Sequence, residues 1–185
     1  MKGWQKFTIA IVAGVVLVLT VNYLFVHRSL AEAMKEDPRN DGIRAFAHFD
    51  YFLVPSSIVF DLRRVDREKS MADVTRLLFQ FAQRQESHRY ERVTLAYRGE
   101  PKFLLEGEYF QTLGKEFGEQ NPMYTIRTLP SNLYRPTGEH AFGEWTGGIL
   151  GVLSRQMEDH NEFHQQWYMR AMLEEHRSGV GPSDF

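Results

Sequence analysis

The sequence of 185 residues contains no cysteine, which excludes disulfides, thiolate nucleophiles, iron–sulfur clusters and cysteine-based zinc sites. It also lacks an excess of either charge, because 22 Lys and Arg residues face 24 Asp and Glu residues and leave a formal net charge of −2. A nucleic-acid partner is not expected, since such a partner is bound through a basic excess that displaces counterions. The G-x-S-x-G elbow of serine hydrolases is absent as well. We therefore expect no cofactor and favour a non-enzymatic protein, with a hydrolase of unrecognised site kept as a further alternative.

The longest hydrophobic run extends from Phe7 to Val26, "FTIAIVAGVVLVLTVNYLFV", and contains no charged residue. Its 20 residues would form a helix of about 30 Å, which is the thickness of a hydrocarbon core. The run predicts a transmembrane signal-anchor within residues 1–28, with the lipid bilayer as its partner. Two alternatives remain open. One is a cleaved signal peptide, since "AEA" at 31–33 has the form of a cleavage site, and the other is the buried helix of a soluble protein.

The charges around this run do not decide its orientation. Lys2 and Lys6 precede it, while Arg28, Lys35 and Arg39 follow it. A short N-terminal tail before a single span most often stays in the cytoplasm. We therefore expect a single-pass membrane protein whose soluble domain lies on the non-cytoplasmic, periplasmic side.

The remainder divides into three parts by composition. Residues 29–55 are expected to form a juxtamembrane linker, broken at Pro38, and a short aromatic-rich segment. This segment is predicted to be a helix that packs on the domain, or alternatively rests at the lipid interface. Residues 56–177 are expected to form an α+β domain, and residues 178–185 a disordered tail.

Periodicity within residues 56–177 predicts a β-α-β-β-α-β order of elements. A β-branched run at 57–62 indicates the first strand, and Ser70 with Asp73 forms a capping-box signature at the start of a helix. A hairpin with its turn near Gly99 follows. The later elements are a helix at 108–118, a strand at 123–129, and a long C-terminal helix at about 146–177. This order is that of a ferredoxin-like fold, in which both helices lie on one face of the sheet.

At the level of fold and anchor, the predicted arrangement is similar to the small ferredoxin-like domains that single-span assembly proteins of secretion and pilus machines carry outside the inner membrane. The resemblance implies a membrane-anchored protein-interaction or assembly component of an envelope complex, with another envelope or membrane protein as partner. Aromatic and Arg side chains suit interface cores. The partner-contact candidates are therefore taken from two aromatic-rich segments: Phe49, Tyr51, Tyr124, Arg127 and Tyr134. The alternative is that these residues belong to ordinary core and loops.

The segment "MEDHNEFHQQWYM" places His160 and His164 four residues apart on the last helix, after Met157. Residues at i and i+4 share a helix face and can ligate one metal. The sequence does not match the zinc-protease motif, because Asn161 follows the first histidine where that motif has Glu. A helical projection places both histidines within the apolar stripe, so packing is the favoured interpretation. The alternative is a metal- or small-ligand-binding sensor or chaperone with Met157, His160 and His164 as ligands.

Two further features have a structural and a functional interpretation. Gly143, Gly147 and Gly151 are spaced by four, which predicts a helix that another element approaches closely, with an anion site as the alternative. Asp61 lies in an apolar strand, where a carboxylate needs a partner such as Arg63 or Arg127.

Overall fold

The computed structural model describes residues 3–118 and 122–178. The helices and strands are, in chain order, α1 (Gly3–Asn22), a π-helical turn (Tyr23–His27), α2 (Arg28–Glu36), β1 (Ile43–Asp50), β2 (Val54–Val65), α3 (Met71–Arg84), β3 (Arg92–Tyr97), β4 (Glu100–Glu106), α4 (Gly107–Glu116), α5 (Pro122–Thr128), β5 (Leu133–Tyr134), α6 (Ile149–His164), a second π-helical turn (Gln165–Met169) and α7 (Arg170–Arg177). The described chain is therefore mixed α+β with a long apolar N-terminal helix. The predicted tail lies, apart from its first residue, outside the described residues.

The strands of the described chain form one five-stranded sheet in the order β1-β2-β3-β4-β5. β2 and β3 are parallel neighbours, joined by α3, and the other neighbouring pairs are antiparallel. The predicted ferredoxin-like topology is not confirmed, because that topology places another strand between the two strands that α3 joins. The coarser prediction, an α+β domain behind an apolar helix, is confirmed.

The aromatic segment before residue 56 is a strand, and its prediction as a helix is wrong. β1 pairs with β2 along its length, so the sheet begins at Ile43, within the segment that the sequence assigned to a linker. Every second side chain from Ile43 to Phe49 is buried, as the pleat of a half-covered strand requires. The alternation is not evident in the sequence, because the opposite face also carries an aromatic residue, Phe46. Its ring packs 4.6 Å from the ring of His27.

The predicted strand at 123–129 is also wrong, because this segment forms the helix α5. Its composition favours a strand, but Thr125 and Leu129, which are buried among its described side chains, are four residues apart. That spacing places them on one helical face, which packs against α6. Pro122 at the first helical position is compatible with this start, since its missing N–H has no helical partner to lose.

Local signals elsewhere are confirmed. α3 begins with a complete capping box, in which Ser70 accepts from the amide of Asp73 and the Asp73 carboxylate accepts from the Ser70 amide at 2.9 Å. The turn between β3 and β4 is formed by Arg98 and Gly99, both with positive φ, as a two-residue hairpin turn requires. The long C-terminal helix is present from Ile149, with one π-helical turn inside it.

The hydrophobic core lies between one face of the sheet and the helices. The ring of Phe60 on β2 lies 5.7 Å from Phe81 of α3 and 5.9 Å from Trp167 of the second π-helical turn. Phe103 on β4 contacts Phe163 of α6 at 5.3 Å between ring centroids. Helices from both halves of the chain therefore share one core on one side of the sheet.

Within the described residues, one helix, Trp4–Glu36, is long and apolar enough to cross a membrane by length and composition. Most of its first half is exposed, whereas Val26, Leu30 and Ala33 in its second half are buried in the core. The helix ends at Glu36, two residues before Pro38. It therefore continues directly into the domain, with its second half serving as a core element.

The same helix covers the free edge of β1. The amide of Phe49 donates to Oδ1 of Asn22 at 2.8 Å, and that of Ala47 donates to Nδ1 of His27 at 3.4 Å. In a regular α-helix, residues five apart point about 140° away from each other. The π-helical turn between Asn22 and His27 adds a residue to the turn and brings both side chains toward the strand. Two edge amides of β1, those of Ala47 and Phe49, are thus paired with helix side chains.

Candidate functional site

The histidine pair of the last helix lies in the core. His160 is 4% exposed and His164 is fully buried, and their ring centroids are 4.7 Å apart. Nε2 of His164 lies 3.0 Å from the hydroxyl of Thr75 on α3, and His160 lies close to the backbone of Ile126 on α5. The two rings therefore connect the C-terminal helix to two other helices.

Burial keeps both rings neutral. It lowers the pKa of His160 to about 4, against which the nearby backbone of Ile126 acts in the raising direction. Burial also lowers the pKa of His164 well below its ordinary range, and Coulomb repulsion from His160 adds to this effect. A charged ring at either position would lose its hydration without gaining a carboxylate partner. Both therefore behave as neutral packing residues at physiological pH.

As a metal site the pair is incomplete. Among residues 3–118 and 122–178, no group of three or more His, Asp or Glu side chains is arranged to hold a metal ion. Met157 is half-buried one turn before His160. The Nδ1 atoms of both histidines are buried without a hydrogen-bond partner in the described part of the chain. These two nitrogens are the only feature of the pair that favours a ligand.

The partner-contact candidates do not form one surface. Phe49 is buried in β1, and Tyr51 is 81% exposed at the turn between β1 and β2. Tyr134 lies on β5, at the opposite edge of the sheet, where its hydroxyl donates to Glu106 at 3.2 Å. Arg127 is half-buried on α5. Tyr124 lies on the same helix, but its side chain is outside the described part.

Asp61 has a structural partner, as expected. Its Oδ2 lies 2.6 Å from Nη2 of Arg63, and its Oδ1 accepts from the amide of Gly99 at 3.0 Å. The buried carboxylate thereby fixes the β3–β4 turn against β2.

The glycine cluster is not the close-contact site that the sequence predicts, because no described atom lies within 4 Å of a Cβ placed at Gly147, Gly148 or Gly151. No other element of the described chain approaches these positions closely. Gly147 instead adopts a φ of +133°, a conformation that favours glycine.

An open groove, which could not be predicted from the sequence, lies between α7 and the loop after β2. Its volume is about 900 Å³, at the upper end of the range for ligand sites. Its apolar walls come from three distant segments of the chain: Val65, Met71, Tyr97, Tyr168, Met172 and Leu173. Although α7 forms one wall, none of its residues, all of them described, is buried. Leu173 is exposed in this wall, whereas Ala171 and Met172 are partly buried against the core.

The rim of the groove is charged, and several of its charges are paired. Nη1 of Arg98 lies 2.9 Å from Oε1 of Glu175, and Arg64 donates to Asp66 at 2.7 Å. Arg67 contacts the ring of His176 on α7. The contacts of Arg98 and Arg67 tie α7 to the loops around it. Because the pairs largely neutralise one another, the groove presents apolar contact area more than net charge.

Comparison with known proteins gives no family: no family model, no curated protein and no solved structure matches the chain.

Proposed function

We propose that the protein is a single-pass, membrane-anchored and non-enzymatic α+β domain that acts as an interaction or assembly component of an envelope complex. We further propose that the groove beside α7 binds an apolar helical segment of a partner protein. The observation that carries this proposal is the groove itself, whose helical wall, α7, has no buried residue and exposes Leu173. Leu173 is 58% exposed in this wall.

The shape and chemistry of the groove favour a protein segment. Met172 and Met71 are unbranched and adaptable, as the side chains of helix-binding grooves often are. The paired rim charges leave no strong demand for an anionic or cationic ligand. An amphipathic helix would supply apolar side chains to the walls and polar groups to the rim.

The position of the groove favours a partner away from the bilayer. The exposed half of the N-terminal helix meets the sheet at the start of β2, beside Asn22, whereas the groove lies at Val65, where β2 ends. Twelve strand residues separate these levels by roughly 35 Å. A domain anchored by this helix thus presents the groove to a second envelope protein and not to lipid. We propose the periplasmic side, which a topology reporter fused to the C-terminus tests.

The test of this function uses two exposed leucines of the same C-terminal helix. Leu173 lies in the groove, and Leu150, which is 83% exposed, lies outside it. We expect one companion protein to co-purify with the tagged full-length chain and with Leu150→Glu, and to be lost with Leu173→Glu. A synthetic helix from that companion should then bind the purified wild-type chain. Identical companions for all three chains would contradict the proposal. A bound small molecule in native mass spectrometry, displaced by Leu173→Glu, would instead identify a ligand pocket.

A second candidate function is a metal- or small-ligand-binding sensor centred on the histidine pair. It is favoured by the two buried Nδ1 atoms that have no hydrogen-bond partner among the described residues. Elemental analysis of the purified protein separates the two functions. Bound copper or zinc that is lost in the His160→Ala plus His164→Ala variant would support the sensor, whereas equal metal content in both proteins would exclude it.

A further inference from the structure

We infer that the tip of the β1–β2 hairpin, Tyr51 to Val54, inserts into the bilayer interface as a second membrane contact and fixes the orientation of the domain. This inference rests on the proposed anchoring of the N-terminal helix and goes beyond it. A single tether leaves a domain free to tilt over the lipid surface. A second contact beside the tether holds it in one orientation.

The tip exposes large apolar side chains where a turn ordinarily has polar ones. Tyr51 is 81%, Leu53 69% and Val54 38% exposed. Tyr51 and Phe52 also adopt φ angles of 48° and 61°, a region that turns usually fill with Gly, Asn or Asp. Bulky aromatic residues are rare there and store strain, which points to a function for their side chains. Turn formation alone does not account for this sequence.

Asn22 fixes the tip at the level of the apolar helix. Its side-chain amide donates to the carbonyl of Phe52 at 2.9 Å, and its Oδ1 accepts from the amide of Phe49 at 2.8 Å. Phe52 is held in turn by its ring, which stacks on His48 at 4.3 Å between centroids. The tip therefore lies directly beside the helix.

The apolar surface of the helix continues past Asn22 in the direction of the domain. Tyr23, Leu24 and Phe25 are each about half exposed, although they follow Asn22 along the chain. The first charged residue after the run is Arg28, six positions and about 9 Å beyond Asn22. A bilayer that covers these apolar side chains also reaches the hairpin tip. The depth corresponds to the headgroup region and the upper acyl chains.

The hydrogen bonds of Asn22 suit this depth. Backbone groups in lipid must be paired within the protein, because no water is present to satisfy them. Asn22 pairs one N–H and one carbonyl of the hairpin, and it thereby satisfies its own polar group within an otherwise apolar run. Exposed Tyr rings such as that of Tyr51 are favoured at the interface.

The experiment uses single-cysteine variants of the full chain, which has no cysteine of its own. Leu53→Cys reports on the tip, Leu17→Cys on the anchor, and Glu100→Cys on the far end of the sheet. Leu17 is 64% exposed, and Glu100 follows the β3–β4 turn. Each variant carries an environment-sensitive fluorophore and is reconstituted in vesicles of phosphatidylcholine and phosphatidylglycerol. Quenching is measured with nitroxide-labelled lipids and with aqueous iodide.

We expect nitroxide lipids to quench the probes at Leu17 and Leu53, and iodide to quench only the probe at Glu100. A nitroxide near the headgroup should quench Leu53 more than one deep in the acyl chains. Lipid quenching at Leu17 with iodide access at Leu53 equal to that at Glu100 would overturn this inference and leave the anchor intact. Absence of lipid quenching at Leu17 would overturn the anchor, and the inference with it.

Discussion

Because His160 and His164 are buried, we predict that the domain loses stability in mild acid. The pKa of His160 is about 4 in the fold, whereas an unfolded chain has the ordinary value of about 6.5. Below pH 6.5 the unfolded state therefore binds more protons than the folded state, so the free energy of unfolding falls as pH falls. Stability is complete above this pH and declines through the window from 6.5 to about 4. His164 contributes in the same direction, because its pKa is also lowered.

Proton linkage gives the size of this loss. Integration between pH 7.5 and pH 5 yields about 2 kcal/mol from His160 alone. Measurement stops at pH 5 so that the loss of stability caused by the histidines is not mixed with that caused by carboxylates such as Asp37 and Asp73. The pKa values of both carboxyls are lowered, so their contribution is lost only as pH falls below about 4.

The assay is urea unfolding of the full chain in detergent, followed by tryptophan fluorescence at both pH values. His160→Gln removes the titrating ring, and we expect it to reduce the acid-induced loss by about 2 kcal/mol. His88→Gln, at an exposed position, serves as the matched control and should leave the loss unchanged. An unchanged pH dependence in His160→Gln would refute the assignment of a buried, neutral ring to this residue.

Three further predictions concern packing and the helix–hairpin contact. Trp167 is fully buried and donates to the carbonyl of Ala96 at 3.0 Å, so Trp167→Ala should cost about 3–5 kcal/mol in urea unfolding. In Gly114→Ala the new Cβ would lie 2.5 Å from a backbone carbonyl of α3, and we expect a loss of about 1–3 kcal/mol. Gly151→Ala, on an open helix face, should instead raise stability by about 0.5–1 kcal/mol, and equal effects of the two changes would contradict this account. Asn22→Leu leaves two hairpin backbone groups unpaired, and we expect faster amide hydrogen exchange at Phe49. Unchanged exchange at Phe49 would contradict the role of Asn22 in holding the hairpin.

Elements with local signals could be predicted from the sequence, and those that depend on distant contacts could not. The capping box at Ser70 and the turn at Gly99 are set by side chains within a few residues of the feature they form. β1 was missed because its second face also carries rings, one of which packs on His27 of the N-terminal helix. α5 was missed because its β-branched residues favour a strand, while its packing against α6 requires a helix.

In the candidate site, too, local features could be predicted from the sequence and contacts between distant residues could not. The shared face of His160 and His164 could be predicted from their spacing, but the hydroxyl of Thr75, which meets His164, is 89 residues away. The groove is lined by segments around residues 65–71, 97 and 168–176. Their proximity is a property of the parallel β2–β3 pair and of the path of the last helix. The exposed hairpin tip lies in the segment that the sequence predicts to be aromatic-rich. Its position beside the N-terminal helix depends on the hydrogen bonds of Asn22 and could not be predicted.

The most direct test of the account is photocrosslinking from the groove in intact membranes. A photoreactive amino acid replaces Met172, inside the groove, or Leu150, on the same helix outside it. We predict one protein adduct of defined mass from position 172 and none from position 150. The same adducts from both positions, or no protein adduct from position 172, would contradict the proposal that this groove is a protein-binding site.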